Sequence, residues 1–341
     1  MEHMMELIVH ERGTFIQKHQ GRLRVMREKE RLAEVPLLIL DHVIIESYGV
    51  GISSDAVRAC AEHGIPIHFL SSTGIAYASL YSAGLTGTVQ TRRAQLQAFE
   101  NERGAWLARA FVCGKLENQH NLLRMMAKYR KTADPACFQR VQPIIAEMRD
   151  HIIEAERVMP QQLEHIRPSL LSIEGRGAAR YWFGVRELLL CDLDWPGRET
   201  QGARDPLNSA LNYGYGILYS QIERCLVLAG LDPYGGFMHT DRPGKPSLVL
   251  DLIEEFRQTV VDRTILGLVN RKMTIEQDET GRLSDHTREM IRERLFKRLE
   301  ASEPYETKRV SLRVIMQSQA RHLATFVRGD RDTYTPFIAS W

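Results

Sequence analysis

The sequence predicts a mixed α+β fold, with a small N-terminal β-sandwich domain followed by a larger all-α domain. Two observations lead to this prediction. Short β-rich runs separated by glycine-containing turns fill residues 5 to 85, whereas nearly every segment from about residue 87 to residue 328 has the apolar spacing of a helix. Small residues and two glycines occur together between residues 82 and 88, so we divide the chain there into residues 1–86 and 87–341.

The first domain is predicted to consist of strands with a single helix among them. Its first strands are LIVH, TFIQKH and RLRVMR, and the apolar runs LLIL and HVIIES are typical of strands in a sandwich core. A short helix is expected next, with Ser53 or Ser54 as its N-cap and Gly64 at its end. IPIHFL and IAYASL complete this domain as a hairpin.

The second domain is predicted to be helical up to residue 328, and the residues after Gly329 are expected to be loosely attached. Prolines are expected to separate its helices, because proline lacks the amide that continues a helix. These breaks are predicted at Pro135, Pro143, Pro160, Pro168, Pro196, Pro206 and Pro233.

The composition is that of an ordinary globular protein and leaves the partners open. Hydrophobic residues make up 43% of the chain and charged residues 26%, and the net charge is only +2. The five cysteines are scattered without a C-x-x-C pair, which favours a reducing compartment. No signal-like run and no apolar stretch near ~20 residues occurs, so we expect a cytoplasmic protein with no membrane segment. Basic clusters at residues 92–93, 124–131 and 288–298 would form a nucleic-acid surface only if the fold brings them together.

The segment from Gly235 to Arg257 has the strongest pattern for a chemical site. A glycine-rich loop carrying His239 passes two prolines and enters a predicted helix, which holds three acids. Residues three and four apart are neighbours on a helix, so Asp251, Glu254 and Glu255 would form a like-charge cluster at the edge of an apolar stripe. A bound cation would relieve their repulsion, with His239 as a nitrogen ligand. The alternative is a solvated acidic helix face with His239 in an ordinary turn.

A second candidate is Glu174, which lies among apolar residues in the predicted helix LLSIEGRGAARYWF. A buried carboxylate needs a partner, because its desolvation is costly. That partner is either a metal ion or one of the arginines of the same helix, Arg176 and Arg180, and the residues alone leave both open. Gly175 and Gly177 would allow another backbone or a ligand to approach closely.

Asn208 and Asn212 form a third polar pair, one helical turn apart in DPLNSALNYGYGIL. Asparagine lowers helix propensity, so a helix that keeps two on one face is expected to use their amides. Hydrogen bonds between helices are the favoured use, and support of the loop that carries His239 is the alternative.

Taken in order, EGRGAARYW, DPLNSALNYGYGIL and GFMHTDRPGKPSLVLDLIEEFR, behind a β-rich first domain, resemble the Cas1 family of CRISPR-associated adaptation integrases. The resemblance covers essentially the whole chain, and the last motif is its most specific part. On this resemblance, Glu174, His239 and Glu254 match the metal-binding positions of the family. Asp251 matches a further acidic residue one helical turn before Glu254, so these four residues are the implied catalytic set.

The resemblance also implies partners and a reaction. Two chains would pair as a homodimer through the N-terminal β-sandwich, assemble with the small protein Cas2 and bind double-stranded DNA. The helical domain would join the 3′-hydroxyl ends of short duplexes to the CRISPR repeat array as an integrase. It would also act as a metal-dependent DNA endonuclease.

Two carboxylates and an imidazole suit Mg²⁺ or Mn²⁺, and a DNA substrate favours these ions over zinc, which the ligand types alone also allow. The ion would polarise the scissile phosphate and activate the attacking hydroxyl. His239 must be neutral to act as a ligand, so activity is expected to fall in mild acid. Arg176 and Arg180 are candidates to neutralise phosphate oxygens beside Glu174.

Two other functions fit the same residues. A metal-dependent phosphoester hydrolase of small substrates would use the same three ligands in a closed pocket and would be indifferent to long DNA. A non-catalytic DNA-binding scaffold would use the acidic cluster for structure alone, and metal ions would change neither its stability nor its activity. Salt-dependent binding to duplex DNA separates the first of these from an integrase.

Overall fold

The computed structural model describes residues 5–71, 74, 76–82, 88–190, 195–200 and 202–341. The chain divides into two compact units, Met1–Thr86 and Gly87–Trp341. The boundary predicted between residues 82 and 88 falls largely on residues 83–87, which lie outside the described residues.

The first unit contains two four-stranded sheets and one helix. One sheet has the strand order β1-β5-β7-β8, with parallel pairs except for β7 and β8, and the other has the order β4-β3-β2-β6, with β6 parallel to β2. The elements are β1 (Met5–Val9), β2 (Thr14–His19), β3 (Arg22–Arg27), β4 (Glu30–Pro36), a 3-10 turn (Leu37–Ile39), β5 (Leu40–Ile45), β6 (Gly51–Ile52), α1 (Ser54–Glu62), β7 (Ile67–Leu70) and β8 (Ala76–Leu80).

Both sheets and α1 contribute to one apolar core in this unit. Alternation along β2 and β3 buries Ile16 opposite Val25, and Val43 of β5 and Ala56 of α1 join the same cluster. The two-residue period of a strand places such residues on one face, so alternation in the sequence leads directly to this core. Of the two predicted N-caps, Ser53 is the one that accepts a hydrogen bond, from the backbone N–H of Ala56 at 3.2 Å.

The second unit is mostly helical, which confirms the α+β class. Its helices are α2 (Thr88–Phe99), α3 (Glu102–Ala133), α4 (Pro135–Glu156), α5 (Leu163–Leu188), α6 (Pro206–Leu228), α7 (Ser247–Ile253), α8 (Arg263–Asn270), α9 (Asp285–Leu299) and α10 (Leu312–Arg328). It is not entirely helical, because β9 (Ser302–Tyr305) and β10 (Lys308–Ser311) form an antiparallel hairpin. The charged sequence SEPYETKRVS lacks the β-branched alternation by which strands are recognised, so the hairpin was not predicted.

Two of the predicted proline breaks are wrong. Pro143 and Pro168 lie inside α4 and α5, which continue through them. Pro135 and Pro206 instead begin helices, in the first turn where the missing amide is not needed, after the N-caps Asp134 and Asp205.

The predicted acid-bearing helix is also shorter than expected. The helix α7 ends at Ile253, a turn follows at residues 254–256, and a π-helical segment, Arg257–Asp262, leads into α8. The predicted apolar stripe is nevertheless buried, with Phe256 and Val260 inside the core. Such π-helical segments interrupt the regular rotation of side chains and are frequent at functional sites.

The expectation of a loose segment after Gly329 is wrong. Tyr334, Phe337 and Ala339 are buried in the core of the second unit. The buried amide of Asn118 on α3 holds this segment, donating to the Phe337 carbonyl at 2.8 Å and accepting from the Ala339 N–H at 2.8 Å. Among the described residues, no helix is long and apolar enough to cross a membrane.

Candidate active site

Glu174 and Glu254 meet at the ammonium group of Lys115. Glu174 lies on α5, Glu254 in the turn after α7 and Lys115 in the middle of α3. The Nζ atom of Lys115 donates a hydrogen bond to Oε1 of Glu174 and lies 3.0 Å from Oε2 of Glu254. The three side chains are only 12%, 16% and 8% exposed for Lys115, Glu174 and Glu254, so little water screens these charges. Two carboxylates distant in sequence therefore share one cation.

A glycine brings α3 and α5 together at this point. A Cβ atom on Gly177 of α5 would lie 2.3 Å from Cδ2 of Leu116, the residue after Lys115. The absence of that side chain allows the two helices to approach closely enough for Lys115 to reach Glu174. Gly175 faces open space and has no such role in the packing.

The loop that carries His239 is held in place from two helices. Gln95 of α2 donates to the carbonyls of Asp232 and Gly235 at 2.8 and 2.7 Å. Arg167 of α5 donates to the Phe237 carbonyl from both Nε and Nη2, at 3.2 and 3.1 Å. These bonds satisfy backbone groups that would otherwise be left unpaired near the core, and they fix the approach of the loop to α7.

The carboxylate of Asp251 on α7 binds backbone N–H groups of the loop and orients the ring of His239. Its Oδ2 atom accepts from the backbone N–H groups of Phe237 and Met238 at 2.6 and 3.0 Å, and Oδ1 accepts from the His239 N–H at 2.9 Å. The Nδ1 atom of His239 lies 2.8 Å from the same Oδ1. Donation from Nδ1 to the carboxylate leaves Nε2 as the nitrogen available to a ligand, which is the usual arrangement behind a metal-bound histidine.

Gly236 allows this wrapping of the loop. A Cβ atom there would lie 2.5 Å from Cβ of Ser247, the first residue of α7, and 3.1 Å from Oδ2 of Asp251. Only glycine fits at position 236, between the loop and the start of the helix.

The charges around Glu254 stabilise its ionised form. Burial alone would raise the pKa of Glu254, but the positive charges of Arg257, Lys115 and His239 lower this pKa to about 2. The Nε atom of Arg257 lies 3.3 Å from Oε1 of Glu254, and its guanidinium carbon is 4.6 Å from the centroid of the Tyr215 ring. Glu254 is therefore a carboxylate throughout the physiological pH range.

The same electrostatics act on the two basic neighbours. Burial alone would lower the pKa of His239, but the hydrogen bond and charge of Asp251 and the charge of Glu254 raise it overall. Burial would likewise lower the pKa of Lys115, but the charges of Glu254 and Glu174 raise it, so this lysine is an ammonium ion. The charge of Glu254 thus favours the protonated form of both His239 and Lys115.

The predicted like-charge cluster of three acids is wrong. Asp251 binds the loop, Glu254 pairs with cations, and Glu255 points to the opposite side. The carboxylate of Glu255 accepts from the Tyr334 hydroxyl at 2.5 Å and from the Phe337 N–H at 2.8 Å. Because α7 ends before Glu254, neighbours in sequence do not share a helix face.

The arginines predicted to serve Glu174 have other partners. Arg176 donates to Glu154 of α4 at 2.8 Å, and Arg180 pairs with Glu147 of the same helix. The alternative of a salt bridge within α5 is therefore wrong, because Lys115 of α3 pairs with Glu174 instead. Sequence reasoning missed Lys115 and Arg257, and the only available signal for Lys115 was a lysine inside the apolar helical run FVCGKLEN.

Asn208 and Asn212 hold a loop, and in the described part of the chain their side chains make no hydrogen bond to another helix. Asn208 donates to the Gly197 carbonyl at 2.7 Å, and Asn212 donates to the Thr200 carbonyl at 3.1 Å. Both amide oxygens accept from Arg198, whose guanidinium also lies over the Tyr215 ring. The favoured expectation of inter-helix hydrogen bonds is wrong.

The side chains of Glu174, Glu254 and His239 are suitable ligands for a hard divalent cation, although the Lys115 ammonium group lies between the two carboxylates here. Within the described ranges, no three His, Cys, Asp or Glu side chains are gathered closely enough to hold a metal ion. Two buried carboxylates already share one positive charge, and Oε2 of Glu254 has no aligned hydrogen-bond donor. Carboxylate oxygens with one imidazole are ligands that Mg²⁺ and Mn²⁺ accept.

The sequence matches one family over most of its length. The model of the family described as CRISPR associated protein Cas1 matches residues 7–297. The chain belongs to the Cas1 family. A relative named CRISPR-associated endonuclease Cas1, from Archaeoglobus fulgidus, is 32% identical over 348 residues, which cover 99% of this chain and 100% of the relative. The family assignment made from sequence motifs is confirmed.

Solved structures share this Cas1 fold. A casposase bound to its integration product has a TM-score of 0.82 at 21% identity, over 97% of this chain and 93% of the casposase. A chain from a Cas6-RT-Cas1–Cas2 complex has a TM-score of 0.79 at 21% identity, over 100% of this chain and 37% of that longer chain. At such identities the likeness shows the fold.

Proposed function

We propose that this Cas1 protein is a metal-dependent DNA integrase and endonuclease of CRISPR adaptation. It joins the 3′-hydroxyl ends of short duplex DNA to the CRISPR repeat array by phosphodiester transfer. Family membership and the endonuclease name of the Archaeoglobus fulgidus relative support the proposal. The single observation that carries it is the convergence of Glu174 and Glu254 on one cation, Lys115. The ring of His239 is oriented by Asp251, which leaves Nε2 available to a ligand.

In this proposal Glu174, Glu254 and Nε2 of His239 hold Mg²⁺ or Mn²⁺. The ion supplies Lewis-acid polarisation of the phosphate and activation of the attacking hydroxyl. Asp251 is a positioning residue, because both of its oxygens are occupied by the loop and by the His239 ring. Arg257 and Lys115 provide positive charge next to the reacting phosphate, a role for which Arg176 and Arg180 are less suited, since they pair with α4.

The proposed partners follow from the neighbours in fold and sequence. The casposase of the same fold is bound to an integration product, and Cas2 accompanies a Cas1 segment in the larger complex. We accordingly assign double-stranded DNA and Cas2 as partners, homodimer formation to the first unit and catalysis to the second. A cytoplasmic location suits an enzyme that acts on DNA.

Strand joining on a supercoiled plasmid that carries a repeat array tests this function. We expect activity with Mn²⁺ and none with chelator, and we expect Glu174→Ala, His239→Ala and Glu254→Ala to abolish joining while duplex binding persists. Glu164→Ala is the matched control, because Glu164 is exposed on the same helix as Glu174 and lies about 15 Å from it along the helix axis. Full joining by any of the three variants would remove that residue from the site.

The same assay separates the competing functions. A hydrolase of small phosphoesters would leave the plasmid untouched and show no salt-dependent duplex binding. A DNA-binding scaffold would bind the duplex with or without chelator and join nothing.

A further inference from the structure

The ammonium group of Lys115 lies between Glu174 and Glu254, where a metal ion shared by the two carboxylates would lie. Its ammonium group contacts one oxygen of each carboxylate, and the side chain is 12% exposed. An ammonium ion can neutralise carboxylates in the way that a metal ion does, but it cannot activate a hydroxyl as a Lewis acid. The site is therefore already satisfied electrostatically in the absence of a metal.

The charges of the cluster balance before any metal enters. Glu174 and Glu254 carry two negative charges, and Lys115 and Arg257 carry two positive charges in contact with them. A divalent cation added to these four side chains would bring their summed charge to two positive charges. Asp251, already bonded to His239, and Asp262, which interacts with Arg257, offset part of this excess, and the remainder is costly in a largely buried place. A phosphodiester of DNA brings the negative charge that removes this excess.

We propose that Lys115 is an internal counter-cation that opposes metal binding until a DNA phosphate enters the site and takes over its ammonium group. Metal and DNA then bind cooperatively, since each reduces the electrostatic cost of the other. This inference rests on the proposed function, because it takes Glu174 and Glu254 as metal ligands. The inference adds that metal binding depends on the presence of DNA.

The packing of α3 fixes the backbone at Lys115 but leaves its side chain able to move. Its neighbours Gly114 and Leu116 are held tightly, because a Cβ on Gly114 would lie 2.7 Å from Pro336 and Leu116 packs against Gly177. The lysine side chain itself has four flexible methylene groups, so the ammonium group can shift while α3 stays in place. A DNA phosphate that the shifted ammonium group can reach would replace the two carboxylates as the partner of Lys115.

Calorimetric titration of the full chain with Mn²⁺, with and without a short DNA duplex, tests this coupling. We expect the wild type to bind Mn²⁺ weakly alone and at least about tenfold more tightly with DNA. Lys115→Met should bind Mn²⁺ about tenfold more tightly than wild type without DNA, and DNA should add little further. Lys115→Gln repeats the test with hydrogen-bond donors retained, in case the methionine variant does not fold.

Lys128→Met is the control, since Lys128 is an exposed lysine on the same helix, and its DNA-free affinity should equal that of wild type. Equal DNA-free Mn²⁺ affinities of wild type and the Lys115 variants, or a wild-type affinity that DNA does not change, would overturn the coupling. Absence of Mn²⁺ binding by every protein even with DNA would overturn the metal site itself, which is the proposed function.

Discussion

Three acidic residues within five positions have three different tasks in this protein. Asp251 organises a loop and a histidine, Glu254 pairs with two cations, and Glu255 anchors the segment around Tyr334 and Phe337. Each task depends on the direction in which the side chain points. The regular helical rotation of side chains stops at Ile253, the last residue of α7, so Glu254 and Glu255 no longer follow it. Residue type alone therefore does not assign the role of an acid in this motif.

Replacement of Asp251 by asparagine tests its positioning role. One carboxylate oxygen becomes an NH₂ group that faces backbone donors, so the loop loses hydrogen bonds and His239 loses its orientation. We expect strand joining to fall by about 10- to 100-fold and the free energy of unfolding by about 1–3 kcal/mol. Asp278→Asn is the control, because Asp278 caps an exposed turn through the N–H groups of Thr280 and Arg282. Equal activity of Asp251→Asn and wild type would contradict the role.

Asp262 gives a prediction for stability against pH. Burial raises the pKa of Asp262 to about 6, although hydrogen bonds from Tyr215 and Tyr181 lower it in part. Because the folded-state pKa lies above the unfolded value, the folded state binds the extra proton between about pH 4 and pH 6, and this contribution to stability is lost as pH rises through about 6. The loss is on the order of 2 kcal/mol.

Urea unfolding of wild type and Asp262→Asn between pH 4 and pH 8 measures this loss. Asparagine keeps both tyrosine contacts, since a tyrosine hydroxyl can donate or accept, but it does not titrate. The stability of the variant relative to wild type should therefore rise with pH up to about 7. A difference that stays constant with pH would show that folding does not raise the pKa of Asp262.

At the scale of elements, α3 organises the site. Three consecutive residues of this helix, Gly114, Lys115 and Leu116, contact respectively the segment around Pro336, the two carboxylates and Gly177 of α5. The middle of one long helix thus sets the distances between parts of the chain that are far apart in sequence. Small residues at two of these contacts allow the close approach.

The two glycines of the EGRG motif form a matched pair that tests this packing. Gly177→Ala would drive a methyl group into the buried Leu116, and we expect it to reduce the free energy of unfolding by about 1–3 kcal/mol. Gly175→Ala faces open space on the same helix, and we expect a gain of about 0.5–1 kcal/mol from helix propensity. Chemical denaturation measures both.

Leu116→Ala should cost less free energy of unfolding in the Gly177→Ala background than in wild type, because in that background it also removes the side chain that clashes. Equal stabilities of Gly177→Ala and Gly175→Ala would show that α3 and α5 are not in close contact at this position.

At the scale of the whole molecule, local pattern predicted the fold class, whereas the contacts of the candidate site depend on tertiary packing. Periods of two and of 3.6 residues separated the β-rich first unit from the helical second unit, because they reflect which face each element buries. The family motifs selected Glu174, His239 and Glu254, whose roles as ligands remain predictions, and Asp251, whose role in catalysis is likewise a prediction. No local pattern could pair Lys115 with Glu174, since 59 residues separate them and their contact exists only after α3 packs on α5.

Anomalous scattering from Mn²⁺, in crystals of the full chain with duplex DNA, tests directly whether Glu174, Glu254 and His239 hold one metal ion. We expect one ion within about 2.0–2.3 Å of a carboxylate oxygen of Glu174, a carboxylate oxygen of Glu254 and Nε2 of His239. We expect the Lys115 ammonium group to contact a DNA phosphate instead of the carboxylates. DNA bound at the site with Lys115 still bridging the two carboxylates, and no ion on His239, would contradict this expectation.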